Sequence, residues 1–201
     1  GLQGALQGIK VIEVSQVLAA PFCGYQFSLL GAEVIKVELP DTPDCARNRG
    51  PIPELNKNGL GLTYQVQGAN KKSLAIDLRI SSGREALLRL VESADVFLEN
   101  YATGVMEELG LGYDILRVRN PGIIYCSMTG YGDKGPKASK GAYDNTIQAA
   151  SGIISQSGGT KPGLSFVDYA AGYSAAFALS AALLQKSRTG KGCYISASML
   201  E

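Results

Sequence analysis

The chain has 201 residues, of which 45% are hydrophobic and 18% charged, with a formal net charge of +1. That length supports one sizeable core. The near-neutral balance gives no broad field to attract nucleic acid or an anionic membrane, so an anionic ligand must be met by a few placed cations and backbone N–H groups. Histidine is absent, and Cys23, Cys45, Cys126 and Cys193 form no C-x-x-C pair, which argues against a zinc or other metal site. Chemistry is left to carboxylates, Tyr, Ser, Cys, Lys and backbone dipoles. Scattered thiols suit a reducing cytoplasm better than a disulfide framework. No secretory signal is expected. The longest apolar region, 173–184, is broken by Ser174 and Ser180 and falls short of a membrane span.

Short β-branched runs alternate with helical segments along the chain. Residues 9–14 read as a strand, and Pro21 then opens a helix that Gly31 stops. Residues 34–38 form a second strand. The polar, Pro- and Gly-rich stretch 39–70 contains no long element, and a loop of that length inside a domain is usually functional. Residues 73–78 give a third strand, after which Ser81 or Ser82 caps a helix carrying Ala86, Leu87, Leu90 and Val91 on one face. A fourth strand at 96–98 is followed by short helices near 105–109 and 113–118. A fifth strand spans 123–128, a helix 144–154, and a long Ala/Leu-rich helix follows Asp168. A last strand at 193–197 comes after the turn Thr189-Gly190-Lys191-Gly192.

Such alternation, with right-handed crossovers, predicts a Rossmann-like, mostly parallel α/β sheet with helices on both faces. Ligands of these sheets bind beyond the carboxyl ends of the strands. One rim therefore gathers residues 14–20, 38 onward, 77–80, 99–104 and 128–132. A dinucleotide site is not supported, because the first strand runs into Ser15-Gln16-Val17-Leu18-Ala19-Ala20-Pro21 with no G-x-G-x-x-G, and no phosphate loop occurs elsewhere.

Asp168 is the most informative single residue. It lies in an otherwise uncharged stretch, Pro162 to Gly172, that opens the apolar helix. A carboxylate there either caps the helix by accepting backbone N–H bonds or is held for chemistry. Local sequence leaves both readings open.

The chain as a whole resembles the class III (CaiB/BaiF-type) CoA-transferases. The likeness is carried by Gly8-Ile9-Lys10-Val11-Ile12-Glu13-Val14, Ala20-Pro21 and Leu30-Gly31-Ala32-Glu33-Val34-Ile35-Lys36-Val37-Glu38. It continues in Asn70-Lys71-Lys72-Ser73, Asp77-Leu78, Glu99-Asn100-Tyr101, Gly110-Leu111-Gly112-Tyr113, Gly130-Tyr131-Gly132, Gly135-Pro136 and Gln148-Ala149-Ala150-Ser151-Gly152. Asp168, Gly172 and Thr189-Gly190-Lys191-Gly192 close the series. Members of that family are longer chains that form interlocked homodimers. The resemblance therefore implies that residues 1–201 are the N-terminal, CoA-binding, Rossmann-like portion of such a fold, ending in or just before the connection to a second domain.

The resemblance further implies that Asp168 is a nucleophile that carries the acyl group and then CoA, and that Tyr143 is an active-site aromatic. Related racemases place a proton-exchanging histidine at that position. A tyrosine, with an ordinary pKa of about 10, is a poor base beside a thioester, so a racemase or lyase is the lesser alternative. Carried over position by position, Val17, Leu18, Arg47, Ile76, Arg79, Asn100, Tyr101 and Met199 are expected around coenzyme A. Glu108 stands where relatives often have a phosphate-binding arginine, which leaves Lys137 and Lys140 as candidate phosphate cations. The expected partners are a small-molecule acyl-CoA and a carboxylic acid. A further alternative is a half-chain CoA-binding or assembly module, inactive alone.

Overall fold

In a computed structural model that describes residues 1–130 and 166–198, with positions 134, 136, 137, 151, 156 and 158 between them, six short extended runs pair into one sheet. Its strands are β1 (Lys10–Val14), β2 (Glu33–Glu38), β3 (Lys72–Ala75), β4 (Val96–Glu99), β5 (Ile124–Thr129) and β6 (Cys193–Ser198). They lie in the order β3-β2-β1-β4-β5-β6, and every pairing is parallel. Parallel strands covered on both faces read as near-continuous apolar runs, and β1, β4 and β5 do so. The order reverses between β1 and β4, which places a crevice beyond their carboxyl ends.

Seven helices accompany the strands among the described residues: α1 (Ala19–Leu29), α2 (Pro53–Lys57), α3 (Leu62–Gly68), α4 (Ser81–Val91), α5 (Val105–Glu108), α6 (Tyr113–Arg119) and α7 (Phe166–Thr189). One face of the sheet, through Val11, Val34, Leu98 and Cys126, packs on Cys23 and Phe27 of α1 and on Ala175 and Leu179 of α7. The other face, through Ile12, Val37, Phe97 and Tyr125, packs on Leu87 of α4, Met106 of α5 and Leu116 of α6. Each fully buried leucine or phenylalanine in these layers contributes about 1.5–3 kcal/mol.

The segment 39–70 holds only short elements, a 3₁₀ turn at Cys45–Asn48 with α2 and α3. Three expectations need correction. The third strand ends at Ala75 rather than at 78. α4 starts at Ser81 itself, with Ile80 before it and no side-chain cap. Finally, α7 is long and apolar enough to cross a bilayer by length and composition, where the sequence showed only an interrupted run. Its stripe of Val167, Ala171, Ala175, Leu179 and Leu183 is nevertheless buried within the domain, as in the core helix of a layered fold. The expected helix at 144–154 lies outside the described residues.

The helices divide between the two faces of the sheet. From β3 to β4 and from β4 to β5 the helices cover the α4–α6 face, as right-handed connections require once α1 covers the other. The step from β5 to β6 runs in the same direction, and α7 lies on the α1 face. The consequence is positional, because α7 comes to lie against α1.

Candidate active site at the strand ends

Parallel βα units deliver every strand end and the following helix start to one rim. At its centre β1 runs into Ser15, Gln16, Val17 and Leu18. Val17 has φ 62, a conformation that a β-branched residue rarely adopts. Long-range contacts hold it there. The Asn100 amide, just past β4, accepts from Gln16 N at 2.9 Å and donates to Gln16 O at 2.7 Å. The Asp44 carboxylate accepts from Val17 N and from Ala46 N, each at 2.9 Å. Leu18 then precedes α1, whose start has no side-chain cap and no acidic residue in its first turn.

Beneath this loop lies an ionic cluster between the sheet and α1. Glu13 and Lys36 are register partners on β1 and β2 and are almost completely buried. Lys36 Nζ meets Glu13 Oε2 at 3.2 Å, Asp44 Oδ2 at 2.8 Å and Ser15 O at 3.1 Å. Lys71 Nζ meets Glu13 Oε1 at 2.7 Å and donates to Pro21 O at 2.7 Å. Two lysines thus balance two carboxylates. Burial would push the Glu13 carboxyl up, but Lys71 and Lys36 outweigh it and hold it below the ordinary value. Burial would lower the Lys36 ammonium, but Glu13 and Asp44 raise it. For Lys71 burial wins and the pKa falls. The cluster needs glycine at Gly24 of α1, where a Cβ would sit 2.1 Å from Glu13 Oε1.

Next along the rim, Glu38 at the end of β2 accepts the Arg47 guanidinium through Nε at 2.9 Å and a second nitrogen at 2.7 Å, and Asp44 N at 2.9 Å. Burial raises the Glu38 carboxyl, but the Arg47 hydrogen bond and its neighbours bring it down to about 2. Arg47 also lies 3.8 Å over the Tyr64 ring. Its fork is therefore engaged in folding 39–70 onto the sheet. At the end of β4, Glu99 accepts from Tyr101 N at 2.9 Å and from the Tyr125 hydroxyl at 3.3 Å. Burial pushes its carboxyl up to about 7 despite those bonds.

The outer edge is different. Ile76 is buried in the α4 layer, and its N–H bonds to Glu38 O at 3.0 Å. Arg79 is exposed and bridges Asp77 Oδ1 at 2.9 Å and Asp41 Oδ2 at 2.7 Å. Beside it an open groove of about 480 Å³ is lined by Leu74, Ile76, Asp77, Ile80, Gly83 and Ala86, among others.

Asp168 is partly buried within the first turn of α7. It stands inside the helix rather than before it, so the N-cap reading does not describe it, although the helix dipole still favours its ionised form. One turn on, a Cβ at Gly172 would come within 2.6 Å of Phe22 Cδ1 and 3.0 Å of Ala19 O. Tyr169 and Tyr173 also pack edge-on against Phe22, with ring centroids 4.8 and 4.9 Å away. α7 therefore crosses α1 at the first turns of both helices, and two helix N-termini converge near the loop after β1.

A model of CoA-transferase family III matches residues 6–201. The chain belongs to CoA-transferase family III. It is 40% identical to succinyl-CoA:glutarate CoA-transferase of Mus musculus, over 97% of this chain and 45% of that protein. It is 38% identical to succinate–glutarate CoA-transferase of Agrobacterium fabrum, over 98% and 51%. Among solved structures it matches a CaiB/BaiF family protein from Brucella suis with a TM-score of 0.91 and 36% identity, covering 98% of this chain and 54% of that one. The chain spans about half the length of the curated relatives it matches.

For this family III chain, the structure divides the residues singled out in the sequence. Val17, Leu18, Asn100 and Tyr101 meet at the centre of the rim, with α7 and Asp168 alongside α1. Ile76 and Arg79 lie at the outer edge, and Arg47 stands between, bound to Glu38. Lys137 is exposed, while Tyr143, Lys140 and Met199 lie outside the described residues. Sequence reasoning missed Glu13, Lys36, Asp44 and Lys71. A signal was present, since Val-Ile-Glu-Val and Val-Ile-Lys-Val put opposite charges at one position of two adjacent buried strands.

Proposed function

We propose that the longer protein to which these residues belong transfers CoA from an acyl-CoA thioester to a free carboxylic acid, with Asp168 as nucleophile. The observation that carries this reading is the carboxylate in the first turn of α7, brought by the Gly172 contact to the start of α1. Both helix dipoles favour an anion there, and the same field favours oxyanions of tetrahedral intermediates.

In this mechanism an Asp168 oxygen attacks the thioester carbonyl. The C–S bond breaks, CoA leaves as thiolate, and an aspartyl mixed anhydride forms. The thiolate attacks the aspartyl carbonyl and expels the donor carboxylate, giving aspartyl-CoA. The acceptor carboxylate then displaces CoA to form a second anhydride, and the thiolate attacks its acceptor carbonyl. That step yields the new thioester and restores the Asp168 carboxylate. Each intermediate is an activated acyl group, and no proton is transferred, which suits a chain without histidine.

Coenzyme A would lie across the rim, with Val17, Leu18, Asn100 and Tyr101 at its reactive end and Ile76 and Arg79 at its outer end. Tyr143, Met199, Lys137 and Lys140 complete this proposed site, and no metal takes part. Similarity to enzymes named for succinate and glutarate makes small dicarboxylic acids the first acceptors to test. The whole protein is proposed to act as an interlocked homodimer in the cytoplasm. One observation favours an incomplete unit for residues 1–201 alone: Tyr173, Phe177 and Leu184 leave α7 with an exposed apolar stripe, Phe177 being 79% exposed.

The test uses the full-length protein, succinyl-CoA and a panel of dicarboxylates. Asp168→Ala is expected to lower transfer by at least about 10³-fold. Retention of a tenth or more of the wild-type rate would remove Asp168 from the role of nucleophile.

A further inference from the structure

The loop after β1 adopts a conformation that its own sequence does not favour. Val17 is β-branched, yet it stands at φ 62, where glycine is the residue at ease. Gln16 is pinned through both backbone groups by Asn100, and that explains the loop's approach to β4. The positive φ itself begins at the Val17 N–H, which is held by Asp44 Oδ1 at 2.9 Å. The other oxygen of Asp44 is taken by Lys36 at 2.8 Å, and Lys36 is anchored on Glu13 in the strand below. Asp44 is 2% exposed, so water does not compete for it.

We propose that Asp44 is a positioning residue: through its ion pair with Lys36 it fixes Val17 at positive φ and so presets the loop between β1 and α1 to receive the acyl-CoA. This rests on the CoA-transferase reading of the rim. Strained backbone persists only where surrounding structure over-determines it, and it concentrates at ligand sites. Here the over-determination is a buried chain of charges, Glu13–Lys36–Asp44, that ends on the backbone of the loop. A charge-assisted bond from a fixed carboxylate is stronger than a neutral one and is directional. Preorganisation of this kind lowers the cost of ordering the loop when ligand binds.

The proposal makes a specific demand on Val17. If Asp44 acts by holding that residue at positive φ, a residue that adopts positive φ freely relieves the need for it. In the full-length protein, Asp44→Asn is expected to raise the KM for acyl-CoA by roughly 10- to 100-fold while kcat changes less than about threefold. Adding Val17→Gly to that variant is expected to recover at least a fifth of the lost affinity. Adding Val17→Ala, which shortens the side chain without freeing φ, recovers none. An independent readout needs no ligand: amide exchange at residues 16–18 speeds up in Asp44→Asn, while exchange in β4 stays as in the wild type. Unchanged exchange at residues 16–18, equal acceleration in β4, or failure of the glycine to rescue where alanine also fails would each overturn the positioning role. A wild-type protein that binds no CoA, yet shows the local exchange effect, would instead overturn the functional reading and leave the loop device intact.

Discussion

The centre and the outer edge of the rim use the same residue types to different ends. At the centre Lys36 and Glu13 are desolvated, interlocked and paired atom to atom. At the edge Arg79 pairs with Asp77 and Asp41 while more than half of its side chain stays in water. A buried ion pair costs several kcal/mol per ion to desolvate and holds only when every partner is in place, whereas an exposed pair contributes little and re-forms easily. The centre is therefore built to hold backbone in one geometry. The edge keeps a cation that can exchange its carboxylates for another anion.

Breaking the centre has the largest expected effect. Lys36→Met takes the cation from Asp44 and leaves Lys71 as the one cation on Glu13, and it should destabilise the full-length protein by about 3–5 kcal/mol in denaturant titration. A loss under about 1 kcal/mol would show that the cluster contributes little to the fold.

The Glu99 carboxyl gives a smaller effect with a defined pH signature. Its folded pKa of about 7 lies above the ordinary 4.5, so folding favours the protonated form. Its stabilising contribution is complete below about pH 4.5 and is lost as pH rises toward 7, with a constant deficit above. Glu99→Gln removes the titration. Relative to wild type, the variant should therefore gain roughly 2–3 kcal/mol between pH 4.5 and pH 8. A difference in stability that is independent of pH would contradict the buried-carboxyl account.

The edge should respond least. Arg79→Ala is expected to leave Tm unchanged, because Arg79 itself and its partner Asp41 are exposed. If the edge holds an anionic group of CoA, the same variant raises the KM for acyl-CoA several-fold, with a salt dependence weaker than wild type. An unchanged KM would assign Arg79 to the surface alone.

Much of this architecture was legible in the chain. Short apolar runs bounded by Gly, Pro and polar residues marked the strands; burial on both faces favours such runs in β1, β2, β4 and β5, whereas the edge strand β3 is exposed and gave only the weaker Ser-Leu-Ala signal. The centre of the rim was legible in part, since Val17, Leu18, Asn100 and Tyr101 follow strands that had to end together. What lay hidden depends on contacts between distant residues. Asn100 binds Gln16, Asp44 binds Val17 and Lys71 binds Glu13, and no local propensity reports such pairings. The face occupied by α7 was equally hidden, because it is set by packing against α1 rather than by any local pattern. Asp168 stands out in the sequence by its uncharged surroundings and by resemblance, and its role there is a proposal. Its approach to α1 required the Gly172 contact.

The most direct test of the central claim is chemical capture on Asp168. Full-length protein incubated with acyl-CoA and quenched with hydroxylamine should carry a hydroxamate on the peptide containing Asp168, located by mass spectrometry. The Asp168→Ala protein should carry none. Turnover with no hydroxamate on that peptide, or with the modification on another carboxylate, would contradict the account.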